Sequence, residues 1–147
     1  MLTRTNPVDI LLVEDNAGDV PLIREALAGS GVALNLHVTA DGDQALAFLR
    51  RQPPFSDARR PDLVLLDLNI RRRSGREVLA TIKADRDLWS IPVVVLAASE
   101  SDRDIAEVYD LRTNSFVTKP VHVDAYLATV NAIVNYWFRV VRLPQKA

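Results

Sequence analysis

Short apolar runs alternate with segments of helical periodicity along almost the whole chain. Val8–Val13 is a mostly apolar run of β-favouring residues that stops at Glu14-Asp15, and it reads as a strand buried on both faces. From Asp19 to about Ala28, Val20, Ile23, Leu27 and the small Ala26 recur at helical spacing, and Gly29 and Gly31 can stop the helix. The unit then repeats. Leu34 to Thr39 reads as a second strand, and Asp41 as the N-cap of a helix from Gln44 to Arg50. A polar, proline-containing loop from Gln52 to Pro61 leads to a third strand, Leu63 to Leu66, that ends at Asp67. Ser74 can cap a helix running to about Ala84, and Pro92 introduces a fourth strand, Val93 to about Ala97. Asp102 to Leu111 is a weakly amphipathic helix, Ser115 to Thr118 a short fifth strand, and Val123 to about Val141 a long final helix.

Strict alternation of strand and helix predicts an α/β fold, because each right-handed crossover lays a helix on a parallel sheet. The expected architecture is a flavodoxin-like, doubly wound sheet of five parallel strands in the order 2-1-3-4-5, with about five helices and an extended C-terminal helix. That order puts a ligand crevice at the C-terminal ends of the first and third strands, at Glu14-Asp15 and Asp67. No linker interrupts the pattern, so residues 1–147 are expected to form a single domain. Its core runs from about 8 to 141, between a short polar N-terminal segment and a C-terminal tail.

Composition removes several functional classes. Hydrophobic residues make up 48% of the chain and charged residues 25%, the balance of an ordinary globular protein. Cysteine is absent, which excludes disulfides, thiolate metal sites and cysteine nucleophiles and makes a reducing cytoplasm the expected location. No apolar run approaches the roughly 20 residues that span a bilayer, and a net charge of −1 gives no reason to expect nucleic-acid binding.

The crevice carries the candidate chemistry. Glu14, Asp15 and Asp67 would raise one another's pKa if crowded without a counterion, and a divalent cation removes that cost. All-oxygen donors with room for water and phosphate suit Mg²⁺, with Mn²⁺ as a substitute. Lys119, after the fifth strand and followed by Pro120, can bring a mobile positive charge to the same place.

Glu14-Asp15 after strand one, Asp67 after strand three, Lys119-Pro120 after strand five and the loop from Asp67 to Gly75 stand together in order and spacing. In these features the stretch from about Val8 to Val141 resembles the receiver domains of two-component response regulators. The resemblance implies that Asp67 is the phosphoacceptor, taking a phosphoryl group from the phosphohistidine of a sensor histidine kinase. It also implies that Asp15, Asp67 and the backbone carbonyl of Asn69 ligate Mg²⁺, that Glu14 acts through bound water, and that Lys119 contacts the phosphoryl group. Such a protein is not a conventional enzyme, since its chemistry is limited to its own phosphorylation and dephosphorylation. The phrases Ile10-Leu11-Leu12-Val13-Glu14-Asp15-Asn16, Gly18-Asp19, Leu66-Asp67-Leu68-Asn69 and Tyr136-Trp137-Phe138-Arg139-Val140-Val141 are similar to the subgroup that serves bacterial phytochrome-type kinases. That subgroup implies light-dependent signalling and a homodimer built partly on the last helix.

Two positions depart from the receiver pattern. Receivers normally carry Thr or Ser at the end of strand four, where its hydroxyl couples the phosphoryl group to an aromatic on strand five; here the residue is Ala97, while Phe116 keeps the aromatic site. Phosphate is therefore expected to be accepted with weakened switching, and Ser99 lies too far along to replace the hydroxyl. Arg71 stands where this loop usually has proline, so the Arg71-Arg72-Arg73 loop is expected to be more mobile or to meet an acidic kinase surface.

Other features are expected to be structural. His37 and His122 have no carboxylate or serine at catalytic spacing, and Trp89 is expected to cover the edge of the core. The last helix carries two apolar stripes, one of Leu127, Val130, Val134, Trp137 and Val141 and one of Tyr126, Ile133, Tyr136 and Val140, which motivates the homodimer. The main competing function is a phosphate-independent dimeric scaffold or pseudo-receiver, with a downstream protein partner unknown in either case. A haloacid dehalogenase-type phosphatase needs a second Asp where Asn69 stands, and a flavodoxin would find its phosphate repelled by Glu14-Asp15.

Overall fold

The structure is a computed structural model, and it describes residues 6–144. Five strands, β1 (Val8–Val13), β2 (Leu34–Thr39), β3 (Leu63–Asp67), β4 (Val93–Ala97) and β5 (Ser115–Thr118), form one parallel sheet in the order β2-β1-β3-β4-β5. The helices between and after them are α1 (Asp19–Ala28), α2 (Gly42–Leu49), α3 (Gly75–Ala84), α4 (Asp102–Asp110) and α5 (Val123–Asn135). The expected fold class is the one observed.

Alternation along the central strands sorts their side chains onto two helical layers. Leu11, Val13, Val64, Leu66, Val93 and Val95 meet α2 and α3 through Phe48, Leu49, Val78, Leu79 and Ile82. Ile10, Leu12, Leu63, Leu65, Val94 and Leu96 meet α1 and α5 through Ile23, Leu27, Val130 and Val134. Every residue of β1, β3 and β4 is buried, which is why these strands read as continuous apolar runs. The edge strands β2 and β5 are only half-buried.

Parallel register aligns the strand ends. Val13 lies opposite Thr39 and Leu66, Asp67 opposite Leu96, and Ala97 opposite Thr118. The residues that follow therefore emerge along one edge. The expected side-chain caps form: Asp41 accepts the Gln44 amide at 2.8 Å, and Ser74 accepts that of Glu77 at 3.2 Å. Ser101 supplies a further cap, accepting the Asp104 amide at 3.0 Å.

Three local expectations need correction. Helix α2 begins at Gly42, directly after its cap. The extended final helix is present as expected, α-helical from Val123 to Asn135 and continued by a five-residue π-helical turn, Tyr136–Val140, which closes with the Val141 amide on the Tyr136 carbonyl. Trp89 is 49% exposed under the Arg86 guanidinium, and the buried residues of that loop are Leu88 and Ile91. The Arg71–Arg73 loop is tied down rather than loose: the Gly42 and Asp43 amides donate to the Arg71 and Arg72 carbonyls at 3.2 and 3.1 Å, and Arg73 pairs with Asp43 at 3.0 Å.

Helix α4 is anchored differently from the rest. Val108 is its one buried residue. Its charged face is held by Arg76 at the start of α3, which reaches Asp104 at 2.6 Å and Glu107 at 2.7 Å.

Candidate functional site

The acidic crevice forms where the strand order reverses. Glu14 and Asp15 leave the end of β1, Asp67 closes β3, and these three each present a carboxylate oxygen within 4.8 Å of the others. The Glu14 side chain is fully buried, Asp67 nearly so, and Asp15 faces the rim. Lys119 enters from the end of β5, its backbone amide donating to the Ala97 carbonyl at 2.8 Å. Its Nζ lies 2.7 Å from Glu14 Oε1, 2.8 Å from Asp19 Oδ2 and 3.3 Å from Asp67 Oδ2.

Burial, and then the Asp67 hydrogen bond and charge, push the Glu14 carboxyl up to about 8 against the opposing pull of Lys119. Burial would raise Asp67 as well, but hydrogen bonding to Glu14, the Asn69 amide at 3.1 Å and the Lys119 charge outweigh it and hold Asp67 below its usual range. The two acids are therefore pushed in opposite directions, Glu14 toward holding a proton and Asp67 toward losing one. Burial works against the Lys119 ammonium, yet Asp19, Glu14 and Asp67 overcome it and raise its pKa. Tyr126, on α5, has a buried hydroxyl with no hydrogen-bond partner among the described residues, and burial pushes its pKa up, against ionisation.

This donor set fits a hard divalent cation, being all oxygen and strongly acidic. Asp15 and Asp67 are the candidates to hold it, with the Asn69 backbone on the same loop and Glu14 behind. Such an ion would supply positive charge to a transferring phosphoryl group and would favour the ionised forms of the acids that hold it.

The other expected site residues fall as follows. Ala97 is fully buried at the end of β4, and its methyl offers no hydrogen bond. Ser99 accepts the Ser101 amide at 3.1 Å in the following loop. Phe116 packs against the α2–α3 side of the core, and its amide donates to the Tyr109 hydroxyl at 3.2 Å, linking β5 to α4. Arg71 Nε lies 3.3 Å from Asp15 Oδ2, but at 84% exposure that pair adds little stability. Asp19 was missed as a site residue. The available signal was an acidic residue in the first turn of the helix that follows β1, which the fold places on the crevice edge.

The fold and the converging carboxylates and lysine define a receiver, and a model of the response regulator receiver domain matches residues 10–131. The chain belongs to that family, a signalling family not classed among conventional enzymes. Response regulator Rcp1 of Synechocystis sp. is 41% identical over 138 residues, covering 94% of this chain and 94% of Rcp1. The crystal structure of its Mn²⁺-bound form has a TM-score of 0.90 over 95% of this chain and 100% of that one. The phosphorylated cyanobacterial phytochrome response regulator RcpA is 44% identical, with a TM-score of 0.92 over 95% of this chain and all of its own. The probable methanogenesis regulatory protein FilR2 of Methanothrix harundinacea is 37% identical over the full 147 residues and 94% of its own length.

Proposed function

We propose that this chain is a single-domain response regulator, residues 1–147, that accepts a phosphoryl group on Asp67 from a sensor histidine kinase and signals through protein contacts. The observation that carries the reading is Asp67 itself, a nearly buried carboxylate with two further acids at metal-ligating distance and an ammonium at 3.3 Å. An Asp67 oxygen attacks phosphorus, the bond from phosphorus to the kinase imidazole breaks, and the imidazole leaves. Positioning and charge neutralisation dominate such a transfer. Lys119 meets the phosphoryl oxygens, and Asp15, Asp67 and the Asn69 carbonyl hold Mg²⁺, with Glu14 acting through water.

A phytochrome-type kinase is the proposed partner, supported by the similarity to Rcp1 and RcpA. The proposed location is the cytoplasm; among the described residues no helix is long and apolar enough to cross a membrane. We also propose a homodimer through the C-terminal helix region. Tyr126 and Ile133 of its second stripe are buried within the chain, so the contact narrows to Tyr136 and Val140, which are 49% and 63% exposed. Light scattering should give a dimer mass at high micromolar concentration, and a monomer there removes this part.

The test of the main reading is intact-mass analysis after incubation with acetyl phosphate. Addition of one phosphoryl group is expected with Mg²⁺, with little or none in chelator and none in Asp67→Asn. Ala97 favours the second reading, a phosphate-independent scaffold, because it lacks the coupling hydroxyl. Failure to take up phosphate under conditions that label another receiver would select that reading.

A further inference from the structure

We propose that Asp19 is a positioning residue for phosphoryl transfer: from the first turn of α1 it holds the Lys119 ammonium so that one N–H faces Asp67. The inference rests on the receiver reading above.

Four carboxylates border the crevice, and the acceptor with its metal site accounts for three. Asp19 is outside the group whose oxygens can share a cation, and its Oδ2 lies 2.8 Å from Lys119 Nζ. A role as a helix cap does not explain that placement. Asn16 already receives the Asp19 amide through Oδ1 at 3.2 Å and through its carbonyl at 3.1 Å, and its Oδ1 also takes the Gly18 amide at 2.7 Å. The Asp19 carboxylate is therefore available to reach across the crevice.

Donor counting shows what it does there. A lysine ammonium has three N–H groups, and here three carboxylates surround it: Glu14 at 2.7 Å, Asp19 at 2.8 Å and Asp67 at 3.3 Å. The two shorter contacts come from two different elements, the end of β1 and the start of α1, and leave the third N–H for the acceptor. Lysine has a flexible four-carbon stem, and the strand leading to Lys119 is a half-buried edge. Fixing the tip from two sides replaces the rigidity that the strand does not provide. Donors set in advance where negative charge develops lower the barrier without reorganisation.

The experiment is a double-mutant cycle on phosphorylation by acetyl phosphate at saturating Mg²⁺, read by intact mass, with folding checked by circular dichroism. Asp19→Asn should slow labelling about tenfold in the otherwise native chain and by less than about twofold in a Lys119→Met background, because Asp19 acts through Lys119. Asp19→Glu should recover most of the rate. Mg²⁺ affinity, titrated separately, should stay within about threefold. The proposal is overturned by an unchanged rate in Asp19→Asn, by the same loss in both backgrounds, or by a parallel fall in Mg²⁺ affinity. If the native chain labels at Asp67 and Asp19→Asn is indifferent, only this inference fails; if the native chain does not label, the receiver reading fails with it.

Discussion

Lys119→Met is expected to lower the stability of the protein in chelating buffer by about 3 kcal/mol, with a deficit that grows as the pH rises. Methionine keeps most of the lysine stem in place, so the change isolates the charge. Lys119 is 12% exposed and its partners Glu14 and Asp67 are 0% and 9% exposed, so removing it strands negative charge away from water. The buried acids respond by holding a proton. Burial and Asp67 already push the Glu14 carboxyl up to about 8, from 4.5, and in the variant it loses the Lys119 influence that lowers it. An acid whose folded pKa is raised contributes its stability below the unfolded pKa, and that contribution is lost as pH climbs through the folded value. In the native chain that loss spans about 4.5 to about 8; in the variant it extends higher. Urea midpoints should differ modestly at about pH 5 and strongly at about pH 8. Millimolar Mg²⁺ should raise the variant's midpoint more than the native one, since the cation replaces the lost countercharge. Equal deficits at both pH values, or no extra response to Mg²⁺, would refute this account of the cluster.

Gly75→Val is expected to cost about 3 kcal/mol or more, for a different reason. A Cβ at Gly75 would lie 2.6 Å from the Leu68 carbonyl oxygen, 2.8 Å from that of Asp67 and 2.8 Å from the Leu68 Cα. All three are backbone atoms of the segment that positions the acceptor, so relief requires moving either β3 or α3. Gly29→Ala is the control, because its Cβ would meet nothing closer than 3.7 Å, and it should change stability by less than about 0.5 kcal/mol. Denaturant unfolding of the two variants side by side checks the prediction. Equal midpoints would show that α3 does not rest on the acceptor loop.

The contrast between these sites follows what a linear sequence can encode. β1, β3 and β4 were legible because strands covered on both faces take apolar side chains at nearly every position, Asp9 and Asp67 excepted, and their order then placed Glu14, Asp15 and Asp67 together whatever their rotamers. Lys119 was legible for the same reason, as a residue just beyond a strand end. Asp19 and Arg71 were not legible as contacts, because each depends on where a side-chain tip reaches across a crevice. The arginine loop looked loose because it lacks the usual proline; its order comes from amides contributed by Gly42 and Asp43, some thirty residues earlier in the chain. The reach of the last helix to about residue 141 was legible from its unbroken apolar periodicity, but the change from α-helical to π-helical bonding at Tyr136 was not. Gly75 was visible as part of a motif, but the backbone approach that requires it was not.

The anchoring of α4 bears on how much energy a signal needs. Releasing the helix would expose its one buried residue, Val108, worth roughly 1.5–3 kcal/mol, uncover the half-buried Ile105, and break the bond from the Phe116 amide to the Tyr109 hydroxyl. It also breaks contacts between Arg76 and the carboxylates of Asp104 and Glu107, which salt and water already weaken. A bias of about 1.4 kcal/mol toward an undocked form would change the ratio of docked to undocked helix tenfold. A protein that prefers free α4 by that amount, or an event at Asp67 that perturbs α3 to the same degree, shifts the population without remodelling the sheet. Of the five α-helices, α4 has the fewest buried residues, so it is the one whose position the smallest free energy would shift.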